Sequence, residues 1–188
     1  MKTLGEILNI KGGYTPSTSN NHFWEGGTIP WFKMEDIREN GRILNDSISH
    51  ITPSAVKKNG LFKANSIILA CSATIGEHAL IKVEHLCNQR FVNLYPKKEY
   101  ISMMDIMFIY YYMFIIDKWC KQHTQTGNFL SVDMTGLLKH PFPIPSLSEQ
   151  SRIVSILDTF EASIANLQAQ LREREKQYEY YRNKLLSF

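Results

Sequence analysis

Cysteine and histidine side chains have the clearest potential for chemistry in this chain. Cys71, His78, His85 and Cys87 lie close together in the sequence and carry the donor atoms that zinc prefers. Structural zinc sites draw their ligands from closely spaced pairs, whereas these four residues lie on or beside predicted strands without such pairing. Glu77-His78 is also not followed by a second histidine at metalloprotease spacing. We therefore expect no metal site.

Other catalytic patterns are missing from the sequence as well. The glycine pairs Gly12-Gly13 and Gly26-Gly27 have neither the G-x-G-x-x-G nor the P-loop spacing that cradles nucleotide phosphates. The Asn/Asp-Pro-Pro-aromatic motif of amino-methyltransferases is absent, and the acidic residues do not form a nuclease-like cluster on adjacent strands. We expect no cofactor bound by this chain, and we predict a binding protein, not an enzyme.

The composition indicates a cytoplasmic protein with one cored domain and an appendage. The chain has 188 residues, and its three cysteines are an odd number with no CxxC pair, which favours reduced thiols. No charged-then-apolar leader opens the sequence, and the apolar run 106–116 is too short to span a bilayer. Residues 1–145 hold 15 Lys/Arg against 12 Asp/Glu, while residues 146–188 hold six of each. A mildly basic first part permits nucleic-acid binding without demonstrating it.

Residues 1–145, called the head below, have the pattern of an α+β domain with irregular loops between short elements. Strands are predicted where apolar and β-branched residues are dense, and helices where the apolar run is longer or follows a Thr-Pro start. The predicted strands are 29–32, 66–70, 75–82 and 87–94, and the predicted helices are 53–56, 102–121 and 132–139.

Residues 146–188, called the arm below, have the pattern of one long helix. Pro141, Pro143 and Pro145 favour extended backbone before it, so the head should end at residue 145. Ser146 and Glu149 have the spacing of a capping box, in which each side chain binds the other residue's backbone N–H. A helix over about 148–185 would be roughly 57 Å long, too long to lie wholly on the head.

Apolar residues recur along the arm at alternating spacings of four and three, the heptad pattern of a helix that buries a narrow stripe against another helix. Ten of eleven stripe positions are apolar, and Arg174 is the exception, which either snorkels at the stripe edge or sets the register of pairing. The stripe consists of Ile153, Leu157, Phe160, Ile164, Leu167, Leu171, Arg174, Tyr178, Tyr181, Leu185 and Phe188. The alternative is an amphipathic helix folded back on its own head.

Several segments occur in the order of one known family. They are Gly13-Tyr14-Thr15-Pro16-Ser17, Phe23-Trp24, Gly26-Gly27, Ile29-Pro30-Trp31, Asp36-Ile37, Ile51-Thr52-Pro53, the run 68–76, Asn88-Gln89, Pro143-Ile144-Pro145, Glu149-Gln150, Arg152-Ile153-Val154 and Ile156-Leu157-Asp158. Each piece alone is weak, but the ordered set resembles the specificity subunit of type I DNA restriction–modification systems. The resemblance covers essentially the whole chain.

The resemblance implies a fold, partners and a division of labour. Members of that family usually carry two target recognition domains, each followed by a long helix, and the two helices pack antiparallel and dock methyltransferase subunits. This chain has one of each, so it resembles a natural or truncated half subunit that pairs with a second copy. Methyl transfer from S-adenosylmethionine to adenine would then belong to the partner methyltransferase, and cleavage to the translocating restriction subunit.

Such a homodimer should read double-stranded DNA as an interrupted palindrome, because twofold protein symmetry is mirrored in the site. The arm length limits the separation of half-sites to roughly 17 base pairs. Candidate DNA contacts are polar or charged residues at strand ends and in the polar segment 121–128, which is predicted to be a loop between two helices. These candidates are Lys33, Glu35, Ser72, Thr74, Arg90, Lys121, Gln122, Gln125, Thr126 and Asn128.

The same residues could instead have structural roles within the head. The segment 121–128 could be a solvated connector, and Ser72, Thr74 and Arg90 could stabilise the fold. Asn88-Gln89 belongs to the family pattern, which favours a structural role for it, and Trp24 and Trp31 fit packing better than base stacking. A second hypothesis for the whole chain is an assembly or anti-restriction decoy protein that pairs through its coiled coil and no longer reads DNA.

Overall fold

The computed structural model describes residues 1–126 and 130–188 and has the predicted α+β architecture. The helices are α1 (Leu4–Ile7), α2 (Met34–Asn40), α3 (Ile106–Gln122), α4 (Met134–Lys139) and α5 (Leu147–Leu186). The strands are β1 (Lys2–Thr3), β2 (Leu8–Gly12), β3 (Ile29–Phe32), β4 (Ile43–Leu44), β5 (His50–Ile51), β6 (Ser66–Ala70), β7 (His78–Ile81), β8 (Leu86–Cys87), β9 (Phe91–Pro96), β10 (Thr124–Thr126), β11 (Leu130–Val132) and β12 (Pro141–Phe142). Short 3₁₀ turns lie at Asn21–Phe23, Pro53–Ala55 and Ile101–Met103.

A five-stranded sheet in the order β2-β9-β6-β7-β4 forms the centre of the head. Adjacent strands of this sheet pair antiparallel, except for β4 and β7, which pair parallel to each other. Every residue of β6 is buried because both faces of this strand are covered. Ile67 and Leu69 pack towards α3, while Ile68 and Ala70 pack into a second apolar cluster. Successive side chains of β6 therefore belong to two apolar cores, one on each face of the sheet.

A smaller sheet in the order β5-β3-β8 closes the second core. Strand β3 pairs antiparallel with β5 and parallel with β8. Trp31 on β3 is buried, packs edge-on against Trp24 with ring centroids 5.0 Å apart, and donates its indole N–H to the Tyr14 carbonyl. Both tryptophans therefore have packing roles within the head.

The structure differs from the sequence-based elements in three segments, and it begins the helices predicted at 102 and 132 later, at Ile106 and Met134. The predicted strand 75–82 is a strand only at His78–Ile81, because the preceding residues turn tightly. The predicted strand 87–94 is interrupted at 88–90, where a turn separates β8 from β9. Within the predicted loop 121–128, Lys121 and Gln122 instead finish α3, and Thr124–Thr126 form β10, the first strand of the β10–β11 hairpin. Polar composition concealed β10, because its three residues are Thr, Gln and Thr.

Helix α5 is 40 residues long, about 60 Å at the α-helical rise. The Ser146 hydroxyl accepts a hydrogen bond from the Glu149 N–H at 3.3 Å, as an N-cap should. The reciprocal half of the predicted capping box is replaced, because the Glu149 carboxylate instead accepts two hydrogen bonds from Arg152. The helix start is therefore fixed by a serine cap and an exposed ion pair.

The described parts of the chain contain two informative absences. Across residues 1–126 and 130–188, no helix combines the length and apolar character needed to cross a bilayer. Over the same residues, no group of three or more His, Cys, Asp or Glu side chains converges as a possible metal site.

Candidate nucleic-acid interface

Two loops of the head meet at one edge of the five-stranded sheet. Ala70 at the end of β6 pairs with Phe91 at the start of β9, so the loop 71–77 and the turn 88–90 leave the sheet side by side. The Cys71 N–H donates to the Arg90 carbonyl at 2.8 Å, which links the two segments directly. Backbone pairing thus brings together segments that lie far apart in the sequence.

The β10–β11 hairpin joins these two loops. Ser131 on β11 forms an isolated antiparallel bridge with Ser72, and the Val132 N–H donates to the Cys71 carbonyl at 2.9 Å. The loop 71–77, the turn 88–90 and strand β11 together are called the loop face below. This face is continuous, although its three segments come from three separate parts of the sequence.

A cavity of about 440 Å³ opens on the loop face. Its lining combines hydrogen-bonding side chains with small and apolar ones: Ser72, Ala73, Ile75, Gln89, Arg90 and Leu130. Arg90 is exposed, and among the described residues no carboxylate forms an ion pair with it. Its guanidinium therefore remains available to a phosphate or to the edge of a base.

Tight backbone turns hold the loop 71–77 in shape. Ala73 has φ of 64°, a left-handed conformation that costs energy for a residue with a side chain, and the Thr74 N–H donates to the Ser72 carbonyl at 2.9 Å. Gly76 has φ of 76°, and a Cβ there would lie 2.5 Å from the Asp117 carbonyl oxygen. Only glycine fits this close approach to α3.

A buried pair ties the end of the same loop to α3. His78 Nδ1 lies 2.7 Å from Asp117 Oδ2, and neither side chain has substantial solvent contact. Burial raises the pKa of the Asp117 carboxyl, although the hydrogen bond and charge of His78 oppose that shift. Burial likewise raises the pKa of the Cys71 thiol to about 11, which keeps the thiol protonated beneath the loop face. These groups support the loops and are not nucleophiles.

Nine of the ten predicted DNA contacts lie among the described residues, and they fall into three groups. Ser72 and Arg90 line the cavity, and Thr74 lies in the same loop. Lys33 directly follows β3, whose Phe32 carbonyl accepts from the Asn88 N–H at 3.0 Å, so Lys33 borders the loop face. Glu35 is exposed on α2 and does not line the cavity.

The other candidates lie near the hairpin. Lys121 and Gln122 are exposed in the last turn of α3, and Thr126 is exposed on β10. The Gln125 amide donates to Asp133 Oδ1 at 2.9 Å, which engages part of that side chain within the head. Asn128 lies outside the described residues.

Sequence reasoning missed one member of the loop face. Asn88 has the structural role expected of it, because its side-chain oxygen accepts from the Arg90 N–H at 3.0 Å and shapes the turn. Gln89, grouped with Asn88 in the sequence, is instead exposed, lines the cavity, and accepts a hydrogen bond from the Thr15 hydroxyl. Its position next to Arg90 was the available signal.

The arm is joined to the head by a buried glutamine. Gln150 is fully buried and makes three hydrogen bonds, two to the segment 103–105 and one to Pro145. Its side-chain oxygen accepts from the Asp105 N–H at 2.8 Å, and its amide donates to the carbonyls of Met103 at 2.9 Å and Pro145 at 2.8 Å. Because all these partners are backbone groups, the contact constrains the direction in which α5 leaves the head.

Apolar packing and a second hydrogen bond extend this joint. Val154 is buried, and the stripe residues Ile153 and Leu157 pack against the α3 side of the core. The Tyr111 hydroxyl donates to Asp158 Oδ1 at 2.6 Å. The first two stripe positions therefore already have a neighbour in the head.

Beyond Asp158 the arm extends away from the described part of the head. Every residue from Thr159 to Phe188 is exposed, so this part of α5 does not fold back along residues 1–126 and 130–145. Arg174 donates to Gln177 at 2.9 Å along its own helix. The exposed apolar and aromatic stripe residues are Phe160, Ile164, Leu167, Leu171, Tyr178, Tyr181, Leu185 and Phe188. Soluble proteins rarely leave such a continuous stripe uncovered.

Comparison with known proteins identifies relatives over the whole chain. The type I restriction enzyme EcoprrI specificity subunit of Escherichia coli is 50% identical over 196 residues, which cover 98% of this chain and 49% of that protein. The EcoR124I/EcoR124II specificity subunit of Escherichia coli is 38% identical, covering 100% of this chain and 48% of that protein. The chain thus spans about half the length of the curated relatives it matches.

Solved structures share the fold at lower sequence identity. The HsdS subunit from Thermoanaerobacter tengcongensis superposes with a TM-score of 0.68 at 21% identity, over 90% of this chain and 38% of that one. A chain from a structural study of complex assembly and conformational transition in the type I R-M system superposes with a TM-score of 0.72 at 21% identity. The match covers 96% of this chain and 42% of that one. The type I restriction modification DNA specificity domain matches residues 1–175. The chain therefore belongs to the family of type I restriction–modification specificity subunits.

Proposed function

We propose that this chain is the DNA-recognition component of a type I restriction–modification complex and carries out no catalysis itself. The head (1–145) would be the target recognition domain, and the arm (146–188) would dimerise and dock the methyltransferase. The observation that carries this proposal is the loop face, where Arg90 shares a cavity with Ser72 and Gln89 and has no ion-pair partner among the described residues. The names of the relatives support the same assignment.

The side chains of the loop face suit recognition of base edges. An arginine fork matches the two acceptors of guanine, and a glutamine amide matches the donor and acceptor of adenine. Ser72 adds a hydroxyl that both donates and accepts. Lys33 at the border of the face would contact phosphate, which fixes register without reading sequence.

The exposed stripe of the arm supports pairing with a second copy of the chain. These 188 residues contain one head and one arm, and a second copy would supply a second recognition unit. Two copies related by a twofold axis would read an interrupted palindrome. With α5 about 60 Å long, the half-sites would be separated by at most roughly 17 base pairs.

The proposed partners follow from the same assignment. Methyltransferase subunits would bind the arm and carry S-adenosylmethionine, and a restriction/translocase subunit would complete the assembly in the cytoplasm. Tyr178, Tyr180 and Tyr181 widen the apolar surface near the end of the arm, which gives room for more than one partner there.

Co-expression with a cognate methyltransferase subunit, followed by genome-wide mapping of methylated adenines, tests the proposal. We expect methylation at one interrupted palindromic motif. A non-palindromic motif would refute the homodimer, whereas an assembled complex without any methylation would favour the assembly or decoy protein.

Replacement of Arg90 tests the loop face itself. Arg90→Ala should weaken half-site binding by about 1–3 kcal/mol and relax the methylated motif at one position, because the variant has no guanidinium fork for a base edge. Arg38→Ala is the matched control, since Arg38 is exposed on α2 and does not line the cavity. An unchanged motif and affinity in Arg90→Ala would remove this residue from the recognition surface.

A further inference from the structure

A groove lined by lysines runs along β2, the edge strand of the five-stranded sheet. Two cavities of about 500 and 540 Å³ share Lys11 and Phe62, and together they form the surface called the lysine groove below. One of them is lined by Lys11, Lys63 and Lys98, and the other by Lys11 and Lys57. The groove therefore collects four lysines from three segments of the head: β2, the connection before β6 and the residues after β9.

The alternation of β2 and β9 places this groove on the sheet face opposite α3. Ile10 and Leu94 pack into the core beneath α3. Their neighbours Lys11, Asn93 and Tyr95 line the groove. One face of edge strand β2 is therefore polar, and Lys11 gives this face a positive charge.

The charge of the groove is not compensated locally. Neither cavity has an acidic residue in its lining, and among the described residues none of the four lysines forms an ion pair. Lys57 instead lies over the Tyr14 ring at 4.2 Å, and Lys63 lies over the Tyr95 ring at 5.1 Å. Aromatic faces hold these cations in place without neutralising them.

The floor of the groove is neutral and ordered by hydrogen bonds. The Asn93 amide donates to the Ser66 hydroxyl at 2.7 Å and lies 3.5 Å from His85 Nε2. Burial lowers the pKa of His85 to about 4, so its imidazole is uncharged at neutral pH. The positive potential of the groove comes from the lysines alone.

The groove begins where the loop face ends. The Gly13 N–H donates to the Phe91 carbonyl at 2.9 Å, and the Tyr14 N–H donates to the Cys87 carbonyl at 2.8 Å. Both residues line the groove, while Phe91 and Cys87 flank the turn that carries Arg90. Strand β2 then continues for about 14 Å, at about 3.4 Å per residue, towards Lys98.

We propose that the lysine groove binds the sugar–phosphate backbone of the duplex where it leaves the loop face, outside the bases that are read. Lysines act as point charges towards phosphate, and a row of them follows a backbone without reading sequence. The groove would contribute affinity and salt dependence, whereas the loop face would contribute sequence preference. This inference rests on the proposed DNA-binding function of the same head.

A charge-matched pair of variants of the 188-residue chain tests the groove. Lys11→Gln/Lys63→Gln/Lys98→Gln removes three groove charges, and Lys2→Gln/Lys82→Gln/Lys139→Gln removes three lysines that do not line it. Binding to a random-sequence duplex of about 30 base pairs is measured by fluorescence anisotropy between about 50 and 200 mM salt. The groove variant should reduce the magnitude of the negative slope of log K against log salt by about 2–3, since each phosphate that is no longer neutralised accounts for about 0.9. The control variant should reduce that magnitude by less than about 1.

The outcomes separate the groove from the proposed function. Equal slopes in the two triple variants would overturn the groove and leave DNA recognition by the loop face intact. Failure of the unmodified chain to bind any duplex would overturn both. Loss of binding to poly-L-glutamate in the groove variant, with unchanged slopes on duplex DNA, would overturn the proposal in favour of an acidic protein partner. Equal melting temperatures would exclude misfolding as the cause of a changed slope.

Discussion

Helix α5 is one continuous helix, yet its two parts have different surroundings. From Leu147 to Asp158 it is attached to the head by the buried Gln150, by packing of Val154 and by the Tyr111–Asp158 hydrogen bond. From Thr159 to its end every side chain is exposed. The same heptad stripe runs through both parts, so apolar periodicity alone does not reveal which partner covers it.

The difference suggests two separate roles for one helix. The first part would set the angle at which the head presents its loop face, because the polar contacts of Gln150 are with fixed backbone groups. The second part would bind a second copy or another subunit, because its apolar stripe has no neighbour in the described residues. Mutations in the two parts should therefore change different quantities, namely stability of the head in one case and assembly in the other.

The largest expected effect is in the exposed part. Leu167→Asp should weaken self-association by roughly 100-fold or more, because each copy would bury a charge in the stripe without a partner. The head should keep its melting temperature, since Leu167 is 63% exposed in the single chain. Native mass spectrometry and sedimentation at tens of micromolar measure the mass. Gln168→Asp, on the polar side of the helix, is the control that should remain associated.

An unchanged mass in Leu167→Asp would show that the stripe register is wrong. A monomeric unmodified chain at the same concentration would instead remove the second copy as the partner of the arm. The first result therefore tests which residues form the stripe, and the second tests which partner covers it.

Loss of the buried glutamine should have the next largest effect. Gln150→Ala leaves the Asp105 N–H and the carbonyls of Met103 and Pro145 without their partner, which should lower the free energy of unfolding by about 2–4 kcal/mol. Denaturant unfolding measures this change, with the exposed Gln168→Ala as the control. If Gln150→Ala changed the mass of the assembly but not the stability of the head, the division of α5 would be wrong.

A smaller effect is expected from the second hydrogen bond of the joint. Tyr111→Phe removes the hydroxyl that donates to Asp158 at 2.6 Å and should cost about 1–2 kcal/mol, because the bond is charge-assisted but partly exposed. Asp158→Asn and the double variant complete a cycle, measured by denaturant unfolding. A coupling energy near zero would mean that packing of Val154 and Gln150 alone holds the joint.

Much of the scaffold was predictable because local patterns determine it. The strands 29–32 and 66–70 were predicted with the bounds that the structure has, since each is a short apolar segment bounded by polar or turn residues. The long helix was predicted within about a residue at each end. The prolines before it, the serine cap and the heptad spacing all indicate the same helix. The β10–β11 hairpin was not predicted, since both strands have only three residues and β10 has no apolar residue.

The candidate interface was predictable only in part. Ser72 and Arg90 were proposed as separate strand-end residues, and the pairing of β6 with β9 brings them to one cavity. The family pattern groups Gln89 with Asn88 and favours a structural role for both, although the two adjacent side chains have different surroundings. Which of two neighbouring side chains faces solvent depends on the turn between β8 and β9, and that geometry is not encoded in residue type.

Residue patterns alone indicated an α+β head on a long helix, the lack of catalytic motifs and the resemblance to one family. Those features depend on periodicity, caps and ordered motifs, which act over a few residues at a time. Tertiary structure was needed to show that three distant segments form one loop face, that the lysines share one groove, and that the described part of the head contacts α5 through its first turns. Such convergence depends on strand pairing and packing between residues far apart in the chain, which local patterns do not specify.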